Sequence, residues 1–238
     1  MVLQGDEINI DRDYLRAVLF EMLAIPSPTG FTNELSRYVC AQLDALAVPY
    51  ELSRRGTIIA KLDGGNSSRA RAVVNHIDTI GAVVTRRKDN GRLGLSPVGT
   101  WSSRFAEGGR VTVFSQQSVF RGQVLPLLAS GHAFNERVDT LPVGWDMIEV
   151  RLDEHCHNRD DLQQLGIENG DFVAFDADPE LSQNGFVSSR HLDNKAGASA
   201  LLSALKYLKD NGIQPSIDLY AIFTITEEVG TGASASLS

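Results

Sequence analysis

The feature that most constrains this chain is a change of texture along its length. Helix-and-strand patterning occupies both ends, and a glycine-studded, β-type middle runs from roughly Thr79 to Asn184. In that middle, Val111 and Val113 alternate with Thr112, and Ile148, Val150 and Leu152 alternate with Glu149 and Arg151. Period two is the pattern of a strand with one buried face. The one good helix predicted there is Arg159–Leu165, with Asn158 as N-cap, Asp160 and Asp161 in its first turn and Gly166 as the stop. Such a segment reads as a small β-barrel or sandwich.

The flanks read differently. Leu15, Val18, Leu19, Met22 and Leu23 share one face of a helix predicted over Asp11–Ala24, which Ile25-Pro26-Ser27-Pro28-Thr29-Gly30 then breaks. A second helix is predicted over Asn33–Ala47, followed by short strands at Val48–Leu52, Thr57–Leu62 and Ala70–Asn75. The unbroken apolar run Ala72-Val73-Val74 predicts a strand covered on both faces. After the β-rich middle, Ala196–Lys209 carries Leu201, Leu205 and Leu208 on one face, and Ile217–Ile225 reads as a buried strand. The organisation expected is an α/β domain, residues 1–78 plus 185–238, interrupted by a β-rich insertion at 79–184.

Hydrophobic residues make up 42% of the chain, enough for a substantial core. The net charge of −8, with no run of Lys or Arg, argues against nucleic acid or an anionic membrane as the main partner. No apolar stretch approaches the length of a membrane span. The polar, acidic start is unlike a signal peptide, and Cys40 and Cys156 lie far apart, so a cytoplasmic protein is expected. Cys40 falls in an amphipathic helical stretch and reads as a small buried residue.

Three polar clusters fall at the ends of α/β elements: His76-Ile77-Asp78, His191-Leu192-Asp193-Asn194-Lys195 and Thr226-Glu227-Glu228-Val229-Gly230. Open α/β sheets bind ligands outside the carboxyl ends of their strands, so all three can reach one place. His76 and Asp78 share a strand face, which suits an imidazole ligand held by a carboxylate behind it. Each cluster alone has a plain reading: a satisfied strand-end histidine, a helix N-cap at Asp193, a solvated turn at Glu227 and Glu228. Adjacent carboxylates after a buried strand repel and lose hydration unless cations compensate. His, Asp and Glu together suit a pair of zinc-like ions bridged by a carboxylate.

These motifs, as His76-Ile77-Asp78, Leu192-Asp193-Asn194-Lys195-Ala196-Gly197 and Phe223-Thr224-Ile225-Thr226-Glu227-Glu228-Val229-Gly230, resemble those of the glutamyl and deblocking aminopeptidases. That family comprises two-metal peptidases known for tetrahedral assemblies, with some members described as cellulase-M-like. The segment Gly170-Asp171-Phe172-Val173 fits the same resemblance, which runs along the whole chain. It implies a zinc-exopeptidase-like, three-layer α/β/α catalytic domain with an inserted small β-barrel that serves assembly and the pocket rim. It also implies two divalent ions (zinc or cobalt, with manganese tolerated), a small peptide substrate and a homo-oligomer.

By the same resemblance His76 binds one ion with Asp78 orienting it, Asp193 bridges the two, Glu228 binds the other, and Glu227 is the general base. The peptide bond after Asp193 is often cis in such enzymes. The family pattern continues beyond Glu-Glu-Val-Gly with another Asp ligand, a late His and further strands. The resemblance therefore implies a C-terminally truncated enzyme with weak metal binding, little activity, and an open edge on the strand Ile217–Ile225. A deacylase of small acylated amino acids and a non-catalytic assembly module are the other readings kept. His155-Cys156-His157 reads as a solvated loop, His132 carries only a weak suggestion of a channel lining, and no GxSxG elbow or phosphate loop is present.

Overall fold

The computed structural model describes residues 8–233. The chain divides into two compact units, one of residues up to Thr79 together with those from Ala177, the other Ile80–Asp176. Residues 177–184, read from the sequence as part of the insertion, belong with the first unit.

The first unit opens with α1 (Arg12–Ala24), α2 (Asn33–Ala45), β1 (Tyr50–Leu52), β2 (Ile58–Leu62) and β3 (Ala70–His76). Asp11 caps α1, its carboxylate accepting from the Tyr14 amide at 2.9 Å. Val18, Leu19, Met22 and Leu23 form the buried face of α1, each worth roughly 1.5–3 kcal/mol relative to exposure. α2 stops at Ala45, short of the predicted Ala47. Ala47 turns left-handed (φ 50), and the Val48 amide bonds back to the Leu43 carbonyl at 2.9 Å, ending the helix as a glycine C-cap would. Cys40 is half-buried rather than fully buried, and desolvation raises the pKa of its thiol.

The second unit holds β4 (Gly81–Arg87), β5 (Leu93–Val98), β6 (Arg110–Phe114), β7 (Val119–Pro126), α3 (Gly131–Phe134), β8 (Ile148–Leu152), α4 (Arg159–Gln164) and β9 (Phe172–Phe175). Its strands close into a barrel in the order β4-β5-β8-β7-β6-β9. Closure removes every free strand edge from this unit's barrel. Val111, Val113, Val124, Val150 and Val173 are completely buried within it. Trp101 packs edge-on against Trp145 and Phe175, with ring centroids 4.8 and 4.9 Å away. Glu149, which strand alternation placed outward, is only 3% exposed. Lys88 and Arg92 pair with its carboxylate, and Asn90 donates to it, which explains the exception. Asn158 caps α4 as the sequence predicts, and the side chain of Asp161 completes a reciprocal capping box with it.

The chain returns to the first unit as β10 (Glu180–Leu181), β11 (Val187–Ser188), α5 (Leu192–Asp210) and β12 (Asp218–Thr224). The main sheet has the order β1-β2-β12-β3, with β12 antiparallel to β2 and parallel to β3. One core is built from Val18 and Met22 of α1, Leu35, Val39 and Leu43 of α2, the inward residues of β2 and β12, and Ala198, Leu201, Leu202 and Leu205 of α5. Two strand expectations are corrected here. β12, expected to be left with an open edge, is paired on both sides. Among the described residues the open edges are β1 and β3, and on β3 Val73 and Val74 are 39% and 38% exposed rather than covered on both faces.

Candidate active site

Parallel pairing of β3 with β12 sets Thr224 opposite His76, and the Ile77 amide continues the ladder to the Thr224 carbonyl at 2.9 Å. Two clusters far apart in sequence thus leave the sheet side by side. Beyond β12 the chain takes one tight 3-10 turn, Glu227–Val229.

Asp78 organises that turn. Its side chain is completely buried, with one carboxylate oxygen accepting from the Glu227 amide and the other from the Glu228 amide, each at 3.2 Å. The Thr29 hydroxyl donates to the second oxygen at 2.6 Å. Burial alone would raise the pKa of this carboxyl, but hydrogen bonds from His76, Thr29 and the two amides outweigh it and hold the group lowered and ionised.

His76 is 6% exposed. Its Nδ1 bonds the Asp78 carbonyl oxygen at 2.9 Å, closer than the Asp78 carboxylate at 3.5 Å. The ring is therefore oriented mainly by the main chain of Asp78, while the Asp78 side chain serves the turn. Its Nε2 faces Asp193, 2.9 Å from Oδ1, with Glu227 Oε2 at 3.5 Å. Burial opposes the imidazolium, yet the bonds to Asp78 and Asp193 raise the pKa of His76 to about 9.

Asp193 is reached through an irregular helix start. Asp193 and Asn194 have non-helical backbone angles, and the peptide between them is cis. Asn194 takes the capping role that the sequence left open for Asp193, its side-chain oxygen accepting from the Gly197 amide at 3.2 Å. Asp193 is freed to point at His76, with its side chain 86% exposed. Gly197 permits the close approach of α5 to β3, because a Cβ there would stand 2.1 Å from Asn194 Oδ1 and 2.3 Å from Asn75 Oδ1.

Glu228 is half-buried, and desolvation first, then the nearby charges of Asp193, Asp78 and Glu227, raise its pKa despite the opposing pull of His76. Glu227 is 54% exposed at its side chain and keeps much of its hydration. Of the two adjacent carboxylates, Glu228 is the desolvated one. Among the described residues no three His, Cys, Asp or Glu side chains converge at metal-holding spacing. The donor chemistry nonetheless fits a divalent cation: one imidazole set against three carboxylates, one of them destabilised as an anion by its neighbours.

The structure brings His76, Asp78, Asp193, Glu227 and Glu228 into one neighbourhood. Thr29 was not singled out in the sequence, although its place in a Pro-flanked break after α1 marks a stiff segment. His155 and His157 are exposed and line, with Cys156, Arg92 and Arg151, a surface cleft of about 630 Å³ in the second unit. His132 is exposed on α3.

The chain superposes on solved aminopeptidases. The TET aminopeptidase of the marine sediment archaeon Thaumarchaeota archaeon SCGC AB-539-E09 matches at TM-score 0.82 and 21% identity, over 91% of this chain and 60% of that one. The TET1 peptidase of Pyrococcus horikoshii, which can assemble into a tetrahedron or a large octahedral shell, matches at TM-score 0.80 and 23% identity, over 93% and 64%. The class defined by the fold is thus an α/β unit interrupted in sequence by a closed barrel. In sequence, the model of the M42 glutamyl aminopeptidase family matches residues 56–238. The putative aminopeptidase YhfE of Bacillus subtilis (strain 168) is 33% identical over 218 residues, 91% of this chain and 63% of its own length. This chain belongs to the M42 glutamyl aminopeptidase family. It spans 58% of the glutamyl aminopeptidase of Lactococcus lactis subsp. cremoris (strain MG1363), at 25% identity.

Proposed function

We propose that this chain carries the proton-handling part, and three of the ligands, of a metal-dependent aminopeptidase site that removes N-terminal residues from short peptides. The observation that carries the reading is the approach of Asp193 and Glu227 to the same imidazole nitrogen of His76, 2.9 and 3.5 Å away. His76, Asp193 and Glu228 would hold two divalent ions, zinc or cobalt by preference and manganese by tolerance. When bound, such ions lower the pKa of a water and polarise the scissile carbonyl.

The chain's own residues do the rest. The Glu227 carboxylate, exposed enough to meet solvent, takes the proton of the attacking water and returns it to the leaving amine. The turn that carries Glu227 and Glu228 is held by Asp78, which fixes both carboxylates relative to His76. Family membership supports a cytoplasmic homo-oligomer, as the shell-forming Pyrococcus horikoshii relative suggests.

The test combines zinc and cobalt titration with hydrolysis of free-amine and acyl-blocked dipeptides. We expect weak metal binding that His76→Ala abolishes. We also expect slow release of free N-terminal residues that Glu227→Gln lowers by about a hundredfold or more with metal binding retained. Preference for acyl-blocked dipeptides would move the reading to a deacylase. Failure of the wild-type chain to bind either ion would overturn it.

A further inference from the structure

Lys195 is 1% exposed, one of the largest side chains fully buried in the described residues. Among those residues its ammonium lies in no ion pair with a carboxylate. Its Nζ donates instead to two main-chain carbonyls, Met22 at 2.9 Å and Ile25 at 2.7 Å. Met22 lies in the last turn of α1 and Ile25 is its C-cap, at the negative end of the helix; the Met22 carbonyl also accepts from the Ile25 amide at 3.2 Å. A methionine or leucine would fill the same volume without the cost of desolvating a cation. That cost here holds two segments together.

The segment anchored by Lys195 leads straight into the site. From Ile25 the chain runs to Ser27 and Thr29, which form a ladder with the residues after β3. The Thr79 amide donates to the Ser27 carbonyl at 2.9 Å, and the Thr29 amide to the Thr79 carbonyl at 3.1 Å. The Ser27 hydroxyl donates to the Ile77 carbonyl at 2.9 Å, and the Thr29 hydroxyl to Asp78 at 2.6 Å. A closed ring of contacts results: Lys195 to Ile25, along the chain to Thr29, to Asp78, to His76, to Asp193, and back through Asn194 to Lys195.

We propose that Lys195 is a positioning residue, a buried strut that ties the start of α5 to the brace of Asp78 and so sets where the Asp193 carboxylate stands relative to His76. This rests on the reading of His76 and Asp193 as functional residues.

The test compares Lys195→Met with Leu43→Ala, a core truncation on α2 that leaves the ring untouched and serves as a control for lost stability. The first readout needs no metal: the downfield imidazole proton of His76 hydrogen-bonded to Asp193, followed by NMR in the metal-free protein. The second is zinc affinity. Lys195→Met should lose the resonance and weaken zinc binding about tenfold or more, as loss of an outer support does at metal sites. Leu43→Ala should keep both at a comparable fall in melting temperature. If Lys195→Met keeps the resonance, Lys195 is a packing residue and the inference is wrong. Should Lys195→Met fail to fold, Lys195→Gln, too short to span both carbonyls, is read in the same way. Absent zinc binding by the wild type would count against the proposed function while the NMR result still decides the strut.

Discussion

The carboxylate of Asp78 grips the amides of both Glu227 and Glu228, at 3.2 Å each, across 149 and 150 residues of chain. One buried acid therefore fixes the direction in which two further acids leave the sheet. Asp78→Asn leaves a single oxygen acceptor and turns an NH₂ group toward a backbone donor. Because Asp78 is completely buried, the unmatched donors should cost about 1–3 kcal/mol. Thermal melts would measure this, and metal affinity should fall with it while His76 and Glu228 are unchanged.

Gly197→Ala should disturb the start of α5 without altering any charged group. The added methyl would stand 2.1 Å from Asn194 Oδ1 and 2.3 Å from Asn75 Oδ1, so the helix or both amides must move. Overpacking of this kind costs about 1–3 kcal/mol, readable in denaturant titration. A crystal structure of the variant should show Asp193 displaced from His76.

The edge position of β3 gives a prediction that separates two pictures of the strand. If Val73 were covered on both faces, a lysine there would bury a charge and unfold the unit. With Val73 39% exposed at the sheet edge, Val73→Lys should change stability by less than about 0.5 kcal/mol. Chemical denaturation of the two proteins decides.

Glu149 supplies the pH dependence of the second unit. Burial would raise its pKa, but Lys88, Arg92 and Asn90 outweigh it, so the folded pKa lies below the unfolded 4.5. A depressed carboxyl binds more protons unfolded than folded, so its contribution is complete above about pH 4.5 and is lost as pH falls toward the folded value. Glu149→Gln should remove about 2 kcal/mol at neutral pH, less than for a fully buried pair because Lys88 and Arg92 reach solvent. It should also flatten the acid limb of the stability profile, which calorimetry between pH 7 and pH 3 would register.

Much of this was legible in the amino-acid order. The apolar spacing of Val18, Leu19, Met22 and Leu23 specified α1, and the alternation around Val111 and Val113 specified a strand, because local periodicity maps directly onto one buried face; barrel or sandwich stayed open. The three clusters around His76, Asp193 and Glu227 were visible because each ends a readable element. What escaped reading was what depends on partners distant in sequence. Ala72-Val73-Val74 looks covered, but only the strand order shows that β3 is an edge. Glu149 obeys the alternation of an outward residue and is buried because two cations come from another strand connection. Lys195 sits in a readable motif, yet nothing nearby in sequence announces that its amine reaches the end of α1, 170 residues earlier.

The division of the chain also divides its chromophores. Both tryptophans, Trp101 and Trp145, lie in the barrel unit, whereas all five tyrosines, Tyr14, Tyr38, Tyr50, Tyr207 and Tyr220, lie in the α/β unit. Indole emission consequently follows the barrel, and phenolic absorbance follows the unit that carries the site. An unlabelled sample thus reports the melting of its two parts in two separate colours.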